Sequence, residues 1–586
     1  MKRITNRLAV SLALCAGLLV AGAARGQRPS PVEVKKPARD SYRIDLRLNF
    51  DERSYSGIER VRFVNRDDRP ASALYFHLYP NLRAEAATTR GETADELYAD
   101  EPRLDVTKAT AGGQPLALSY EDGGATLRVQ LRDAVAAGAV GEVELSFRGT
   151  VPEIDPDETS LTAHVIQQVG AAMRETREVR RARDTNFSSR GVMLLASFHP
   201  VLAAREGGDW LREVEPTVGE AVFADVADYD VRVVAPAGVN VFSPAEGARE
   251  RGADAAHVFS GENLRGFALV AGRALRSEER EAAPGLRVRV VYRAEHERVA
   301  RRVLSVGTDA ARTYSSRFGP LPLRTVTVAE APLVAGLGSA DFAGLSVIAS
   351  AFFVDFDSPQ MRGLPEIVRE QRASVEDSLE FAAAEGVAAQ WWGAGVGHDP
   401  SRAPVVGEAL SQWSALLYAQ DVHGAERARQ FEDDQLRGVY QVYRTFGGED
   451  APADRPAREY RNSFQYAALV SGKGALMFPE LRRLLGEEKF FKALRAYYEA
   501  NRLETAGLED LRAAFVAEAE VLQRRLVTRT FTRWLSERHG DEDIAPPNPQ
   551  LASAIGIAVE PQQAARDRNA LSRLGRFFWR QMTRIR

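Results

Sequence analysis

The sequence predicts an antiparallel β-sandwich or saddle followed by a mainly helical lobe, multidomain α and β in one chain. Up to about residue 294, apolar and polar residues alternate at period two in many short runs separated by turn residues, the mark of strands with one buried face. From about Glu295 the pattern changes to long amphipathic segments of helical period. The chain has 586 residues, 45% apolar and 27% charged, enough for more than one domain with a sizeable core. A formal charge of -4 gives no basis for a nucleic-acid partner.

Taken in order, residues 1–26 come first: Lys2, Arg3 and Arg7 precede an apolar run from Leu8 to Val20 and the small residues Ala21, Gly22, Ala23 and Ala24. This pattern is a secretory signal and predicts an exported protein, periplasmic or extracellular. The alternative is an uncleaved membrane anchor, since Leu8 to Ala24 is 17 residues, at the lower limit for a tilted span. The only cysteine, Cys15, lies inside this segment, so a cleaved chain has no disulfide and depends on core packing. Residues 27–40 read as a polar, Pro-containing linker. The β domain is expected over 41–294. Its strands are marked by Tyr42-Ile44-Leu46-Leu48-Phe50, Leu74-Phe76-Leu78, Leu127-Val129-Leu131, Val143-Leu145-Phe147, Tyr229-Val231-Val233 and Leu286-Val288-Val290. A polar insert at 152–189 carries the basic run Arg174 to Arg183, read as a solvated face or loop without a function.

The helical lobe is expected over 295–540. A helix is predicted for His296 to Phe318, short strands for Thr325 to Ala329 and Leu345 to Val354, and a helix for Ser374 to Trp392, with Ser374 and Asp377 in capping-box spacing. Pro404 opens the helix bearing Glu408. Helical patterns continue through Ala425 to Tyr443, Phe464 to Leu485, Glu488 to Asn501 and Leu508 to His539. Gly540 and the pair Pro546-Pro547 end the lobe, and 541–570 reads as a linker. In 571–586, Leu571, Leu574, Phe577, Phe578 and Ile585 gather near one helical face, with Arg573, Arg576, Arg580 and Arg584 elsewhere. Such a segment suits contact with an anionic membrane surface or with the protein's own acidic surface.

Chemistry concentrates between Phe381 and Leu417. Gln390-Trp391-Trp392-Gly393 ends the first helix, and Glu408 follows fifteen residues after Gly393. This stretch resembles the aminopeptidase N and leukotriene-hydrolase family of gluzincin metallopeptidases, in which H-E-x-x-H precedes Gln-Trp-Trp-Gly. In such a motif two histidines at i and i+4 bind zinc while the glutamate acts on the bound water. The resemblance puts Glu385 at the first histidine, Gly386 at the catalytic glutamate and Ala389 at the second histidine. Glu408, nineteen residues past Ala389, keeps the third ligand position. Gly338-Ser339-Ala340-Asp341-Phe342-Ala343-Gly344 resembles the family's substrate-cleft strand, with Asp341 where a glutamate meets the peptide amine, and Gly338 and Phe342 beside it. Ser471-Gly472-Lys473-Gly474-Ala475 resembles the segment with the transition-state tyrosine, and Ser471 replaces that tyrosine. His77-Leu78-Tyr79-Pro80-Asn81 and Ala227 to Pro236 resemble the N-terminal domain of bacterial members.

The resemblance implies a thermolysin-like lobe whose zinc chemistry has been lost at four points. The expectation is a non-catalytic peptidase relative that binds a peptide or protein ligand through the old cleft, with no cofactor. One alternative is an active metallopeptidase with a metal site rebuilt from Glu385, Glu408 and a further ligand such as His398. That cofactor would be zinc or another divalent cation, and hard oxygen donors favour calcium, magnesium or manganese. Two carboxylates at one point do not both ionise cheaply, so a cation or a basic neighbour is expected between Glu385 and Glu408. Another alternative is a structural or assembly protein of the envelope held by 571–586. No G-x-S-x-G elbow supports a serine hydrolase.

Overall fold

The alternation of Tyr42, Ile44, Leu46 and Leu48 becomes the strand Asp40–Asn49, whose apolar residues are buried while Arg43, Asp45 and Arg47 are exposed. In the computed structural model the described residues are 39–83, 98–173, 177–250, 256–359, 361 and 372–554. The signal expected at 1–26, most of the linker expected at 27–40 and the 571–586 segment lie outside them.

Asp40–Asn49 sits inside an eight-stranded sheet, antiparallel to Ser54–Val64 on one side. On the other side Ala227–Val234 runs parallel to it, a departure from the all-antiparallel expectation. The reason is the connection: Ala227–Val234 returns only after the chain has built strands of two four-stranded sheets, and a parallel neighbour requires such a long crossover. One four-stranded sheet contains Ala71–His77 and Thr126–Val135; the other contains Val192–Leu195 and Leu269–Gly272. Their apolar faces enclose a core that includes Tyr42, Phe63, Phe76, Val129, Leu145 and Tyr229.

The predicted strand at Leu286 belongs elsewhere. Leu286–Arg293 pairs with Leu275–Ala283 and, in parallel, with Thr325–Ala331, which pairs in parallel with Leu345–Ala349. The helix Glu297–Phe318 is the crossover between the first parallel pair, so residue 295, in the 3-10 segment Ala294–His296, falls in the connection between two strands of one sheet. Thr325–Ala331 and Leu345–Ala349 are buried at every position, as strands covered on both faces should be. At the sheet's edge, Ser339–Phe342 pairs antiparallel with Leu345–Ala349 and sets Asp341 opposite Ser346. A second core runs from this sheet through the helices and takes in Phe187, Leu194 and Val270.

Three local expectations change. The strand predicted for Leu345 to Val354 stops at Ala349 and turns into a short 3-10 segment. Ser374 lies inside the helix Arg372–Ala389, so it does not cap it; Asp377 instead pairs with Arg427 at 2.7 Å. Leu508 to His539 divides into Leu508–Glu518, Val521–Phe531 and a π turn, because Ala519 and Glu520 are extended and Gln523 caps the second helix through the Glu520 N–H. Within the 541–570 stretch, Pro549–Ala554 forms a short helix. Among the described residues no helix is long and apolar enough to cross a membrane.

Candidate functional site

Small residues let the helix Arg372–Ala389 lie directly on the Ser339–Ala349 hairpin: Ala382, Ala383, Ala384, Gly386 and Ala388 are all buried. Gly386 marks the closest approach. A Cβ there would stand 2.0 Å from Ser346 Oγ, 2.8 Å from Ser346 Cβ and 3.0 Å from Asp341 Oδ1. Gly386, which the sequence resemblance sets at the base's position, thus faces a packed strand, with no room for a side chain.

Gln390 explains why the hairpin stays there. Its Oε1 accepts from the Gly344 N–H at 2.6 Å, and its Nε2 donates to the carbonyls of Gly386 at 3.2 Å and Phe342 at 3.3 Å. Trp391 donates to the Gly319 carbonyl at 3.0 Å and Trp392 to Ser414 Oγ at 2.9 Å. Both rings are buried among Tyr314, Phe318, Tyr497 and Tyr498. Gln390-Trp391-Trp392 therefore has structural work at all three side chains.

Glu408 stands on the next helix, Val405–His423, and is 7% exposed. Its Oε1 accepts from Ser471 Oγ at 2.7 Å and from Gln412 Nε2 at 3.1 Å. Ser471, at the tyrosine's place, serves the carboxylate directly from the π turn Ala467–Gly474. In the same turn Lys473 is a structural cation: Nζ donates to Asp450 at 2.7 Å and to the carbonyls of Glu537 at 2.7 Å and Ala451 at 3.2 Å. His398 packs against Gly407, where a Cβ would come within 2.1 Å of its ring. Burial pushes His398 down to about 4, outweighing the opposing pull of Glu408 and Asp399, so it is neutral near pH 7.

A cavity of about 180 Å³ lies where these elements meet the β-sheets. Of the residues singled out from sequence, Asp341, Phe342, Ala389, Glu408 and His398 line it. Glu385, Gly386, Gly338 and Ser471 are not among its lining residues. Glu385, 2% exposed, acts electrostatically on Tyr314, whose hydroxyl donates to the carbonyls of Ala384 and Ser414. Glu385 and Glu408 thus do not share the cavity wall. The Gly338 carbonyl accepts from the Ala349 N–H at 2.9 Å. Among the lining residues that went unnoticed in the sequence are Arg180, Thr217, Arg265 and Tyr466. Arg180 was hidden within a basic run that reads as solvated, and the others carry no motif.

Structural or catalytic zinc needs three or four convergent donors. Ala389 supplies none, Glu408 is already held by Ser471 and Gln412, and no group of three or more His, Cys, Asp or Glu is placed to hold a metal among the described residues. This donor set does not fit the family's zinc.

The sandwich, the mixed sheet and the helical lobe with its Glu385 and Glu408 helices together define a metallopeptidase-type fold. More particularly, it is the fold of the M1 zinc metallopeptidases. The M1 zinc metallopeptidase of Deinococcus radiodurans aligns with a TM-score of 0.56 and 15% identity, over 87% of this chain and 95% of that one. A mutant of it bound to a Tyr-Ser-Ala substrate aligns with a TM-score of 0.54 and 17% identity, over 85% and 94%. A two-domain M1 mutant bound to L-tryptophan gives a TM-score of 0.55 at 17% identity, over 85% and 94%. At such identities the likeness establishes the fold alone. No protein-family model matches the sequence, and no curated protein matches it.

Proposed function

We propose that this is an exported, non-catalytic relative of the M1 zinc metallopeptidases that binds a peptide, or the terminus of a protein partner, in the cavity beside Glu408. The observation that carries this reading is the contact of Gly386 with Ser346 and Asp341, which fills the space a catalytic base would need. Loss of a base, or of an oxyanion donor, costs on the order of a hundredfold or more in rate. Here both are replaced, and Ala389 removes a ligand as well. Asp341 is the amine contact: it is 9% exposed, on the cavity wall, at the end of the edge strand. The signal at 1–26 supports export, and the 571–586 segment would add contact with an anionic membrane. The test uses mature protein made in a host lacking its own aminopeptidases, with aminoacyl reporters for cleavage and calorimetry for peptide binding. Binding weakened in Asp341→Asn, without cleavage, is expected; chelator-sensitive cleavage would overturn the reading.

A rebuilt metal site is the second reading, favoured by the placement of His398 and Glu408 on one wall and their electrostatic interaction. Its test is metal content after equilibration with zinc and then calcium. Stoichiometric metal that disappears in Glu408→Ala supports it, and no metal in either protein rules it out.

A further inference from the structure

The cavity carries cations that an amine contact does not use. Arg180 donates Nη2 to the Gly336 carbonyl at 3.3 Å and forms no ion pair among the described residues. Its neighbours in the same run differ: Arg181 pairs with Glu101 at 2.5 Å and Asp100 at 2.6 Å, and Arg183 pairs with Glu158 at 2.6 Å. Arg265 donates to two carbonyls, Ala224 at 3.3 Å and Glu504 at 2.8 Å, and its buried Nε has no hydrogen-bond partner. Asp225 and Glu504 act on it electrostatically, but neither forms an ion pair with it among the described residues. Burial lowers its pKa to about 10, a measure of how far the guanidinium is desolvated. Beside Arg180, whose N–H donates to the Thr217 carbonyl at 2.8 Å, the buried Thr217 Oγ1 is also without a partner.

Carbonyl partners satisfy N–H groups without forming an ion pair; Asp184 acts on Arg180, and Asp225 and Glu504 on Arg265, only electrostatically, so each guanidinium still gains from a carboxylate or phosphate, which it meets in bidentate fashion. The same cavity also presents acids, Asp341 and Glu408 together with Asp184 and Glu220, of opposite sign to the guanidinium groups. A ligand with one charged end satisfies only one set. At about 180 Å³ the space is below the roughly 300 to 1,000 Å³ that holds a drug-sized molecule, which favours a short ligand over a long chain.

We propose that the cavity binds a short free peptide by both ends, its α-ammonium at Asp341 and its α-carboxylate at Arg180 and Arg265, with the Thr217 hydroxyl as a further donor. This rests on the peptide-cleft reading and narrows it, because a ligand held at its carboxyl end cannot continue into a protein chain. No bond is made or broken.

Calorimetry on the full mature chain with Ala-Ala-Ala, its C-terminal amide and its N-acetyl form tests it. A charge-assisted hydrogen bond gives about tenfold or more in affinity, so the amide is expected to bind at least about tenfold more weakly than the free acid. In Arg180→Gln the preference for the acid over the amide should shrink, because only Arg265 is left to meet the carboxylate, and thermal melting reports whether the variant is folded. Arg265→Gln provides the same comparison if Arg180→Gln does not fold. Equal binding of acid and amide to the native protein, with loss on N-acetylation, would overturn this inference and leave the peptide-cleft reading standing. No binding by any of the three peptides would remove both.

Discussion

At Gly386 the absence of a side chain and the local packing are the same fact. A methyl group there would meet both the hydroxyl and the Cβ of Ser346, so rotating the Ser346 hydroxyl away leaves a 2.8 Å clash. Overpacking of this kind costs about 1–3 kcal/mol. Gly386→Ala is therefore expected to lower the unfolding free energy by about that amount in a urea titration, and Ser346→Gly in the same chain should recover much of it. Equal stability of Gly386→Ala and the native protein would mean that the hairpin yields, and that a base could be restored. Ser471 gives a second expectation. Its hydroxyl is a 2.7 Å donor to a buried carboxylate, so Ser471→Ala should cost about 1–3 kcal/mol through the lost bond to Glu408.

Whole elements are held by side chains that look catalytic only by association. Gln390 joins its helix to the Ser339–Ala349 hairpin through two hydrogen bonds, accepting from the Gly344 N–H and donating to the Phe342 carbonyl. Gln390→Leu keeps the bulk and orphans that donor, at about 1–3 kcal/mol. Hydrogen exchange at the Gly344 amide should accelerate in step, while amides of the distant Ser54–Val64 strand change only with global stability. Lys473 ties its π turn to Asp450 and to the Glu537 carbonyl. Lys473→Met strands the Asp450 charge in a buried site, with an expected loss of about 3–5 kcal/mol that Asp450→Asn should partly restore. Gln390, Trp391, Trp392 and Lys473 all do structural work, and their run in the sequence made the helix register legible. Contacts formed across elements left no such trace: Arg180 lies in a run whose members differ only in which acids the fold brings near them, and Ser346 meets Gly386 from forty residues away.

At the scale of the molecule, periodicity located the β part and the helical lobe, because each strand or helix needs only its own buried face. It could not assign Leu286–Arg293 to its sheet, since that depends on pairing with Thr325–Ala331. Nor does it show which ionisable groups the assembled cores desolvate. His77, His164 and His398 are each held down to about 4 by burial, in three different parts of the fold. In the unfolded chain they take up protons near pH 6.5. Between about pH 6.5 and 4 the unfolded state therefore binds more protons, so their contribution to stability is fully present above that window and is lost as pH falls through it. The limit is about 3 kcal/mol for each histidine. Glu59, Glu101, Asp184 and Asp225, whose pKa values burial raises, act in the opposite direction and hide part of the loss. A single substitution separates the two. Among the described residues the His164 ring makes one hydrogen bond, Nε2 to the Leu333 carbonyl at 3.3 Å, which a glutamine amide can replace. His164→Gln should leave the carboxylate contribution intact and reduce the fall in urea midpoint between pH 7 and pH 4.5, by up to about 3 kcal/mol in free energy. An unchanged fall would mean that His164 takes up its proton in the folded state as readily as in the unfolded chain.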